Sequence, residues 1–316
     1  MFRCRSKTEL SLPTFSEAVK PTISVCVCTF RRPRQLDQLL QRLDQQLTKD
    51  RFNFSVVIVD NDANQSARNV FEFWAKRLSV PLAYGVEPVQ SIALARNASV
   101  AMATRELVAF IDDDEEPSND WLLKLFEVLT NYKADGVLGP VIATFEEGAP
   151  AWAAKSGIFL RSKLETGKVI DWMTAGIGNA LIKREVLSEL DGPFRAEFGA
   201  GGEDRDLLRR AMARGRVFVW AAEAVCYEPV PPERTKVLFQ LRRALLRGKM
   251  ALHGSGGGWR GIFKSLIAVP LYVIALPVCY VMGFHVFVKY LIRTFDHVGK
   301  LLASCGIDVV GDKYIT

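Results

Sequence analysis

Three consecutive carboxylates, Asp112-Asp113-Asp114, directly follow the apolar run LVAFI. Crowded carboxylates repel one another, so each raises the cost of ionising its neighbours. A divalent cation that prefers oxygen ligands relieves this repulsion, which indicates Mg²⁺ or Mn²⁺. Because alternate residues of a strand point the same way, we expect Asp112 and Asp114 to share one ligand and Asp113 to serve the ribose or the local turn. The alternative is a solvated acidic loop that caps the next helix.

A second acidic pair, Glu203 and Asp204, follows two glycines within the run GAGGEDRDLLRR. This pattern predicts a glycine-rich loop that leads into a helix, where the helix dipole favours acids in the first turn. Glycines also allow a ligand to approach the backbone closely. Either carboxylate can therefore be proposed to remove a proton from an acceptor hydroxyl. The alternative is that both are ordinary acids at a helix start.

Two further residues have chemistry that the sequence alone leaves open. Asp60 ends the apolar run FSVVIVD and would accept hydrogen bonds from a base or ribose, or else serve as an ordinary turn aspartate. Arg96 lies in the predicted helix around Ala95-Arg96-Asn97 and would reach a nucleotide, or else pair with an acid.

Strands and helices alternate along the first half of the chain. Apolar, β-branched runs at residues 22–30, 54–60, 82–84 and 107–112 predict strands, and leucine-rich or capped segments between them predict helices. This order indicates an α/β fold with a mostly parallel, Rossmann-like sheet and helices on both faces. In such sheets ligands bind beyond the carboxyl ends of the strands, so the polar endings at 29–31, 60–62 and 112–114 should meet in one crevice. After residue 139 the alternation weakens.

Composition and charge narrow the class of protein. With 49% hydrophobic and 24% charged residues, the 316-residue chain is not disordered. Its net charge of +6 comes with a cluster of cations between residues 236 and 264, directly before the most apolar segment, which favours a membrane surface over nucleic acid. The six cysteines fit no zinc pattern and are expected to be reduced thiols. The first twenty residues contain no apolar run of signal-peptide length, so the amino-terminal body is expected to stay in the cytoplasm.

The carboxy-terminal third has two membrane signals. Residues 236–249 carry Arg242, Arg243, Arg247 and Lys249 on one face and apolar residues on another, a basic amphipathic helix suited to anionic lipid or to a diphosphate. Residues 265–288 form a run of 24 without a formal charge, and a helix rising ~1.5 Å per residue is then long enough to cross a ~30 Å hydrocarbon core. Two prolines and a glycine in it leave a kinked span and a re-entrant hairpin as alternatives. The preceding cations place the first domain inside the cell.

Seven motifs in order resemble the family 2 glycosyltransferases of GT-A fold. They are ISVCVCTFRRP, VVIVDNDA, the alanine-arginine-asparagine helix, AFIDDDEEP, GNALIKR, GGEDRDL and EPVP. The match to the family runs from about residue 21 to residue 248. Each motif alone is weak, but the ordered set is specific. Within the family the chain most resembles bacterial exopolysaccharide enzymes of the succinoglycan type.

The resemblance implies an inverting enzyme that moves one hexose, expected to be glucose, from a UDP-sugar to a polyprenyl-diphosphate-linked oligosaccharide. It places that enzyme in exopolysaccharide or cell-surface glycan biosynthesis, at the cytoplasmic side of the inner membrane. Membrane lipid and other polysaccharide-assembly enzymes are the further partners expected, and no nucleic acid is expected. The implied organisation is an extension over 1–20, a catalytic domain over 21–229, a linker, basic helix and glycine hinge over 230–260, and a membrane-associated segment with a tail over 261–316. The catalytic domain divides into a nucleotide-sugar half, 21–139, and an acceptor and base half, 140–229.

The resemblance also assigns roles to single residues. It implies that the nucleotide-sugar donor is bound by Thr29, Arg31, Asp60, Arg96, Asp112, Asp113, Arg243 and Arg247. Asp112 and Asp114 match the family's aspartate–any–aspartate motif, with Asp114 the direct ligand of Mn²⁺ or Mg²⁺. Asp204 is the implied general base, with Glu203 its rival. The acceptor is expected at Gly178, Asn179 and Gly202.

The chain departs from the family pattern at two positions. Related sequences often have a histidine directly before Glu-Pro-Val, and this chain has Tyr227 there. If that histidine binds the metal or the diphosphate, Arg243 or Arg247 is expected to take its role in this chain. Ala244 replaces the tryptophan of the processive synthases' glutamine–any–any–arginine–tryptophan motif, so addition of a single sugar is expected.

Two other functions are alternatives to the glycosyltransferase interpretation. A sugar-phosphate nucleotidyltransferase also needs a nucleotide crevice and a metal, but it should carry a glycine-rich loop where this chain has Arg31-Arg32-Pro33-Arg34. A non-catalytic, membrane-bound scaffold of a polysaccharide assembly complex is disfavoured because Asp112, Asp114 and Asp204 are all present.

Overall fold

The computed structural model describes residues 20–174, 176–198, 201–253 and 258–307. Most of the expected extension over 1–20, the centre of the glycine hinge at 254–257 and the tail from residue 308 lie outside the described residues. The described part is a mixed α/β structure followed by three long helices.

Two sheets organise the α/β part. The larger has the strand order β3-β2-β1-β4-β8-β6-β9 and the smaller the order β5-β10-β7. The strands are β1 (Thr22–Thr29), β2 (Asn53–Asp60), β3 (Leu82–Val86), β4 (Leu107–Asp112), β5 (Glu116–Pro117), β6 (Gly136–Leu138), β7 (Val141–Phe145), β8 (Asn179–Lys183), β9 (Phe218–Trp220) and β10 (Cys226–Val230). In the larger sheet only the pairs that involve β8 are antiparallel, which confirms the mostly parallel sheet expected from the sequence.

Helices cover the larger sheet on both faces. They are α1 (Pro33–Asp44), α2 (Arg68–Trp74), α3 (Ile92–Met102), α4 (Trp121–Asn131), α5 (Ala151–Lys155), α6 (Arg184–Ser188) and α7 (Glu203–Ala213). On one face the leucines of α1 and the apolar side of α4 pack on β1, β2 and β4. On the other face, residues of α3, α6 and α7 pack around Phe110 and Trp220. Because helices cover both faces, neither side of the central strands contacts water, which explains why these strands are apolar throughout.

The parallel register carries the strand ends to one edge. Thr29 pairs with Asp60, and Cys28 pairs with Asp112, so β1, β2 and β4 finish side by side. The thiols of Cys26 and Cys28 are unpaired, and burial raises the pKa of each to about 12. These cysteines are structural, as expected.

The sequence predicts a linker from residue 230, but the proline-rich segment 228–235 is part of the folded domain. Its first residues complete β10, which pairs in parallel with β7, and Pro232–Thr235 form a 3₁₀-helix. Pairing with β7, more than eighty residues earlier in the chain, determines this conformation. The local proline content carries no information about such a partner.

Three helices complete the described part of the chain: α8 (Val237–His253), α9 (Trp259–Met282) and α10 (Phe284–Ser304). The uncharged run expected to be one membrane segment is divided at Gly283, whose φ of +136° favours glycine. Among the described helices, α9 alone has the length and apolar composition needed to cross a membrane. The amphipathic helix expected over 236–249 is α8.

Candidate active site

A cleft of about 910 Å³ opens where the ends of β1 and β4 meet the start of α7. Its lining contains six arginines and six carboxylates: Arg32, Arg96, Arg161, Arg205, Arg234 and Arg243, with Asp112, Asp113, Asp114, Glu203, Asp204 and Glu228. The two acidic clusters, about ninety residues apart in sequence, therefore face one space. Its size and polarity suit a nucleotide sugar, and arginine is well matched to phosphate oxygens.

Two of the three consecutive aspartates share Arg32. Its Nη1 lies 2.9 Å from Asp113 Oδ1 and 3.0 Å from Asp114 Oδ2. Asp113 also accepts a hydrogen bond from Thr29 Oγ1 at 2.7 Å. Burial raises the pKa of Asp113 to about 6, although Arg32 opposes the shift. The grouping differs from the expected pair of Asp112 with Asp114 because β4 ends at Asp112, so strand alternation does not extend to Asp114.

Arg96 connects the two acidic clusters. Its Nη2 lies 3.1 Å from Asp112 Oδ1, and its Nη1 lies 2.6 Å from Glu203 Oε1. The guanidinium is buried and also lies over the ring of Phe194. The sequence left open whether Arg96 reaches a nucleotide or pairs with acids. In the structure it pairs with two acids and lines the cleft.

Glu203 and Asp204 occupy different environments at the start of α7. Glu203 is 4% exposed, and its Oε2 is buried without a hydrogen-bond partner. Burial raises the pKa of Glu203 to about 7, against the opposing effect of Arg96. Asp204 is partly exposed in the cleft, where its Oδ2 faces Gly176 and its Oδ1 accepts the backbone N–H of Arg205. The pKa of Glu203 thus suits a base at neutral pH, whereas Asp204 has the better access to the cleft.

Glu115 is a site residue that the sequence reasoning missed. Both of its carboxylate oxygens are buried without a hydrogen-bond partner, and Arg161 Nη1 lies 3.8 Å from Oε1. Burial, reinforced by the charge of Asp112, raises the pKa of Glu115 well above its ordinary value. In the sequence Glu115 is the fourth acid of AFIDDDEEP, and nothing in that motif distinguishes a buried glutamate from a solvated one.

The donor atoms here fit a hard divalent cation. A β-carbon on Gly178 would lie 2.6 Å from Asp112 Oδ2 and 3.1 Å from Glu115 Oε1, so the absence of a side chain leaves both oxygens facing a common space. Carboxylate oxygens are the ligands that Mg²⁺ and Mn²⁺ prefer. Within the described residues no three such groups are preassembled as a ligand set. Binding through Asp114 as well would require Arg32 and Arg234 to release that carboxylate.

The structure places Asp60 and Arg31 outside the cleft lining. Both oxygens of the buried Asp60 are used internally: they accept the backbone N–H groups of Asp62 and Ala67 and the hydroxyl of Tyr84. Arg31 has a positive φ of 54° and pairs with Asp62. The cleft is lined instead by the residue that follows each of them, Asn61 and Arg32.

Of the two arginines expected at the diphosphate, Arg243 lines the cleft and Arg247 does not. Arg247 Nη2 lies 2.9 Å from Asp296 Oδ1 on α10. Tyr227 is also absent from the lining, while its neighbour Glu228 is part of it. Ala244 is fully buried against α5 and α10, where a tryptophan would find no room.

Among the expected acceptor residues, Gly178 and Gly202 line the cleft and Asn179 does not. The side chain of Asn179 is fully occupied: Oδ1 accepts Trp121 Nε1–H at 2.7 Å, and Nδ2 donates to the carbonyls of Pro140 and Ala224. These bonds join β8 to α4 and to the loops beside the second sheet. Asn179 therefore supports the fold around the site.

We expect Asn179→Ala to lower the free energy of unfolding by about 2–3 kcal/mol, because it leaves the Trp121 Nε1–H and the Ala224 carbonyl unsatisfied. The Pro140 carbonyl still accepts the backbone N–H of Cys226. Chemical denaturation should show the loss, while ligand affinity of the protein that remains folded should stay unchanged. If stability were unaltered and acceptor binding were weaker, the prediction would be contradicted, and Asn179 would be assigned a role in acceptor binding.

Comparison with known proteins agrees with this geometry. The sequence profile described as Glycosyl transferase family 2 matches residues 24–191. The succinoglycan biosynthesis protein ExoM of Rhizobium meliloti (strain 1021) is 34% identical over 228 residues, which is 72% of this chain and 73% of ExoM.

Two solved structures share the fold at low sequence identity. The mannosyltransferase PcManGT from Pyrobaculum calidifontis, in complex with GDP-Man and Mn²⁺, superposes with a TM-score of 0.59 at 17% identity, covering 90% of this chain and 86% of that one. S. aureus TarS 1-349 in complex with UDP gives a TM-score of 0.51 at 14% identity, covering 92% of this chain and 95% of that one. These neighbours support the GT-A fold expected from the sequence motifs.

Proposed function

Because this chain belongs to glycosyl transferase family 2, we propose that it transfers one hexose, glucose in the first instance, from a UDP-sugar to a lipid-linked oligosaccharide with inversion at the anomeric carbon. One observation carries the proposal. Glu203 and Asp204 face the aspartates at the end of β4 across a single cleft lined with arginines. A nucleotide diphosphate and an accepting hydroxyl can therefore be held on opposite sides of one reacting carbon.

The donor would lie along the ends of β1 and β2. Thr29, Phe30 and Asn61 line that part of the cleft and would contact the nucleoside. Arg32 and Arg243 would approach the diphosphate, since planar guanidinium groups pair well with phosphate oxygens.

Carboxylates beside the diphosphate require charge compensation. Bound Mn²⁺ or Mg²⁺, held by Asp112 and Asp114 with Glu115 behind them, would neutralise charge on the departing UDP. The buried, unpartnered oxygens of Glu115 and the open space at Gly178 support this assignment.

We assign Asp204 as the general base because it is the more accessible of the two candidate acids. Its carboxylate takes the proton of the acceptor hydroxyl as that oxygen bonds to the anomeric carbon. In the same displacement the bond from that carbon to the UDP oxygen breaks, and UDP leaves with the electron pair. One displacement inverts the configuration and needs no enzyme nucleophile. Arg96 holds the neighbouring Glu203 at the start of α7, which fixes the direction of Asp204.

The acceptor is proposed from the carboxy-terminal helices and from the relative. The basic helix α8 contributes Arg243 to the cleft, and the apolar helix α9 follows directly. A soluble acceptor would not need such a segment, whereas a polyprenyl-linked glycan lies at the membrane. The name of ExoM gives succinoglycan biosynthesis, which supports a role for this chain in exopolysaccharide assembly. We place that role on the cytoplasmic side of the inner membrane because the basic helix α8 and the apolar helix α9 follow the catalytic domain.

We expect UDP to raise the melting temperature only when Mn²⁺ is present. The physical reason is that the aspartates and the diphosphate repel each other unless a cation lies between them. Thermal-shift measurements with UDP and Mn²⁺, each alone and together, test this, with GDP as the matched control for base recognition. A UDP shift that persists in EDTA would contradict the metal assignment, and a larger shift with GDP would contradict the UDP-sugar donor.

A further inference from the structure

Helix α9, the most apolar of the described helices, is covered by protein on one face only. The most hydrophobic stretch of α9 has a mean hydropathy of 2.1, and only 11% of that stretch is buried. One continuous face is exposed along the whole helix, formed by Phe263, Leu266, Ile267, Leu271, Ile274, Val278 and Val281. We call these seven residues the outer face of α9. An exposed apolar surface of this length indicates a contact with lipid or protein.

The opposite face of α9 packs on α10 in an antiparallel hairpin that turns at Gly283. Ser265 Oγ lies 2.9 Å from His297 Nδ1, near the open end of the hairpin. Tyr272 contacts Tyr290 near the middle, with ring centroids 5.8 Å apart. Tyr280 contacts Phe287 beside the turn. The second helix therefore follows α9 along its whole length.

The helix α10 is fixed to the catalytic domain. Its residues Val288 and Ile292 are buried against Trp152 of α5 and Ala244 of α8. Its backbone also touches that of α8: a β-carbon on Gly299 would lie 2.3 Å from the carbonyl oxygen of Leu245. The close approach requires glycine, and it leaves no space for lipid between α8 and α10.

These contacts conflict with a membrane-crossing α9. A crossing α9 would carry α10 into the hydrocarbon core beside it, together with Lys289, Arg293, Asp296 and Lys300. Charges at that depth are costly. Helix α8 with its arginines and α5 of the catalytic domain would have to follow, because both pack on α10.

We infer that α9 lies in the plane of the membrane, with its outer face immersed in one leaflet and α10 between it and the catalytic domain. The occupant of the outer face is the lipid bilayer. Charge supports this choice: Arg260 and Lys264 at the exposed start of α9 suit anionic headgroups, and Trp259 beside them is an aromatic residue typical of the interface. Helices of this kind sit about 5–10 Å below the headgroup boundary.

This placement goes further than the membrane association proposed above, on which it rests. It makes the protein monotopic: both ends of α9 stay on the same side as the active site. It also holds the cleft at a fixed height above one leaflet, where the glycan of a lipid-linked acceptor projects.

Depth-dependent fluorescence quenching distinguishes the two orientations. Variants Phe263→Cys, Leu271→Cys and Val281→Cys of the full chain, each with Cys4, Cys28, Cys279 and Cys305 replaced by serine, are labelled with an environment-sensitive dye. Cys26 and Cys226 are retained because both are buried in the catalytic domain. The labelled proteins are bound to vesicles of phosphatidylethanolamine and phosphatidylglycerol that carry spin labels at the headgroup, mid-chain or chain end. Val169→Cys, 63% exposed in the catalytic domain, is the control that should not be quenched.

The in-plane helix predicts the same shallow depth for all three positions. The outer two positions are ~27 Å apart along the helix axis, so a crossing helix predicts the Leu271 probe near the bilayer centre and the other two near opposite surfaces. That graded pattern would overturn the in-plane orientation and leave membrane association standing. Absence of quenching at all three would overturn both, and would assign the outer face of α9 to a protein partner.

Discussion

Asp204→Asn is expected to lower kcat by about 10³-fold while leaving the affinity for UDP and Mn²⁺ unchanged. Asparagine keeps the size and the hydrogen bond from the Arg205 backbone but cannot accept the acceptor's proton. Binding of the donor depends on the opposite side of the cleft, so the loss should fall on the chemical step. Steady-state transfer kinetics together with calorimetric UDP binding separate the two effects.

Glu203→Gln is the matched control, since it makes the same chemical change one residue earlier. We expect it to retain far more transfer activity than Asp204→Asn at neutral pH, because the glutamine oxygen can still accept the hydrogen bond from Arg96 that positions the start of α7. A reversed pattern, with Glu203→Gln inactive and Asp204→Asn active, would assign the base to Glu203. In that case wild-type kcat/KM should rise as the pH increases through about 7, because burial raises the pKa of Glu203 to that value and the base must be deprotonated.

Asp114→Ala is expected to abolish the part of UDP affinity that depends on Mn²⁺, a loss of tenfold or more. The variant removes the expected direct ligand of the cation, and it also releases Arg32 and Arg234 from that carboxylate. Released guanidinium groups would bind diphosphate directly, so the affinity in EDTA should stay the same or rise. Titration of UDP with Mn²⁺ and with EDTA, for both proteins, measures the difference.

Glu116→Gln provides the control for loss of one acid near the cluster. Glu116 is two residues further along, pairs with Arg42 and does not line the cleft. It should bind UDP and Mn²⁺ as the wild type does. If Asp114→Ala retained the full Mn²⁺-dependent increment, the cation would have to be held by Asp112 and Glu115 without Asp114.

The strands and the convergence of their ends were accessible from the sequence because both depend on local pattern. The β-branched runs that precede Thr29 and Asp112 admit only buried strands, and parallel pairing then brings their ends together. The helix that begins at Glu203 was equally clear, since its glycines and acids lie within a few residues of one another.

Side-chain directions at the ends of strands were less accessible. The sequence predicts Arg31 and Asp60 at the nucleoside, whereas Arg32 and Asn61 line the cleft. The backbone at Arg31 has a positive φ, and a turn of this kind redirects the chain in a way that no sequence periodicity reveals.

Long-range partners were inaccessible. Asn179 is bound to Trp121, Pro140 and Ala224, each at least 39 residues away, so its structural role cannot be seen in the motif GNALIKR. The orientation of α9 also depends on a partner that the local sequence does not reveal. Its composition satisfies the criteria for a membrane span, and only the packing of α10 along it argues for a helix that lies in the plane.

Transfer of a labelled hexose from UDP-glucose to an organic-extractable, lipid-linked acceptor is the most direct test of the proposed function. With membranes that contain the acceptor, purified protein and Mn²⁺, we predict a single added hexose whose linkage is β by NMR, since an α-linked donor is inverted in one displacement. The reaction should stop in EDTA and in Asp204→Asn. An α-linked product, or transfer that persists in both of those conditions, would contradict the proposed mechanism.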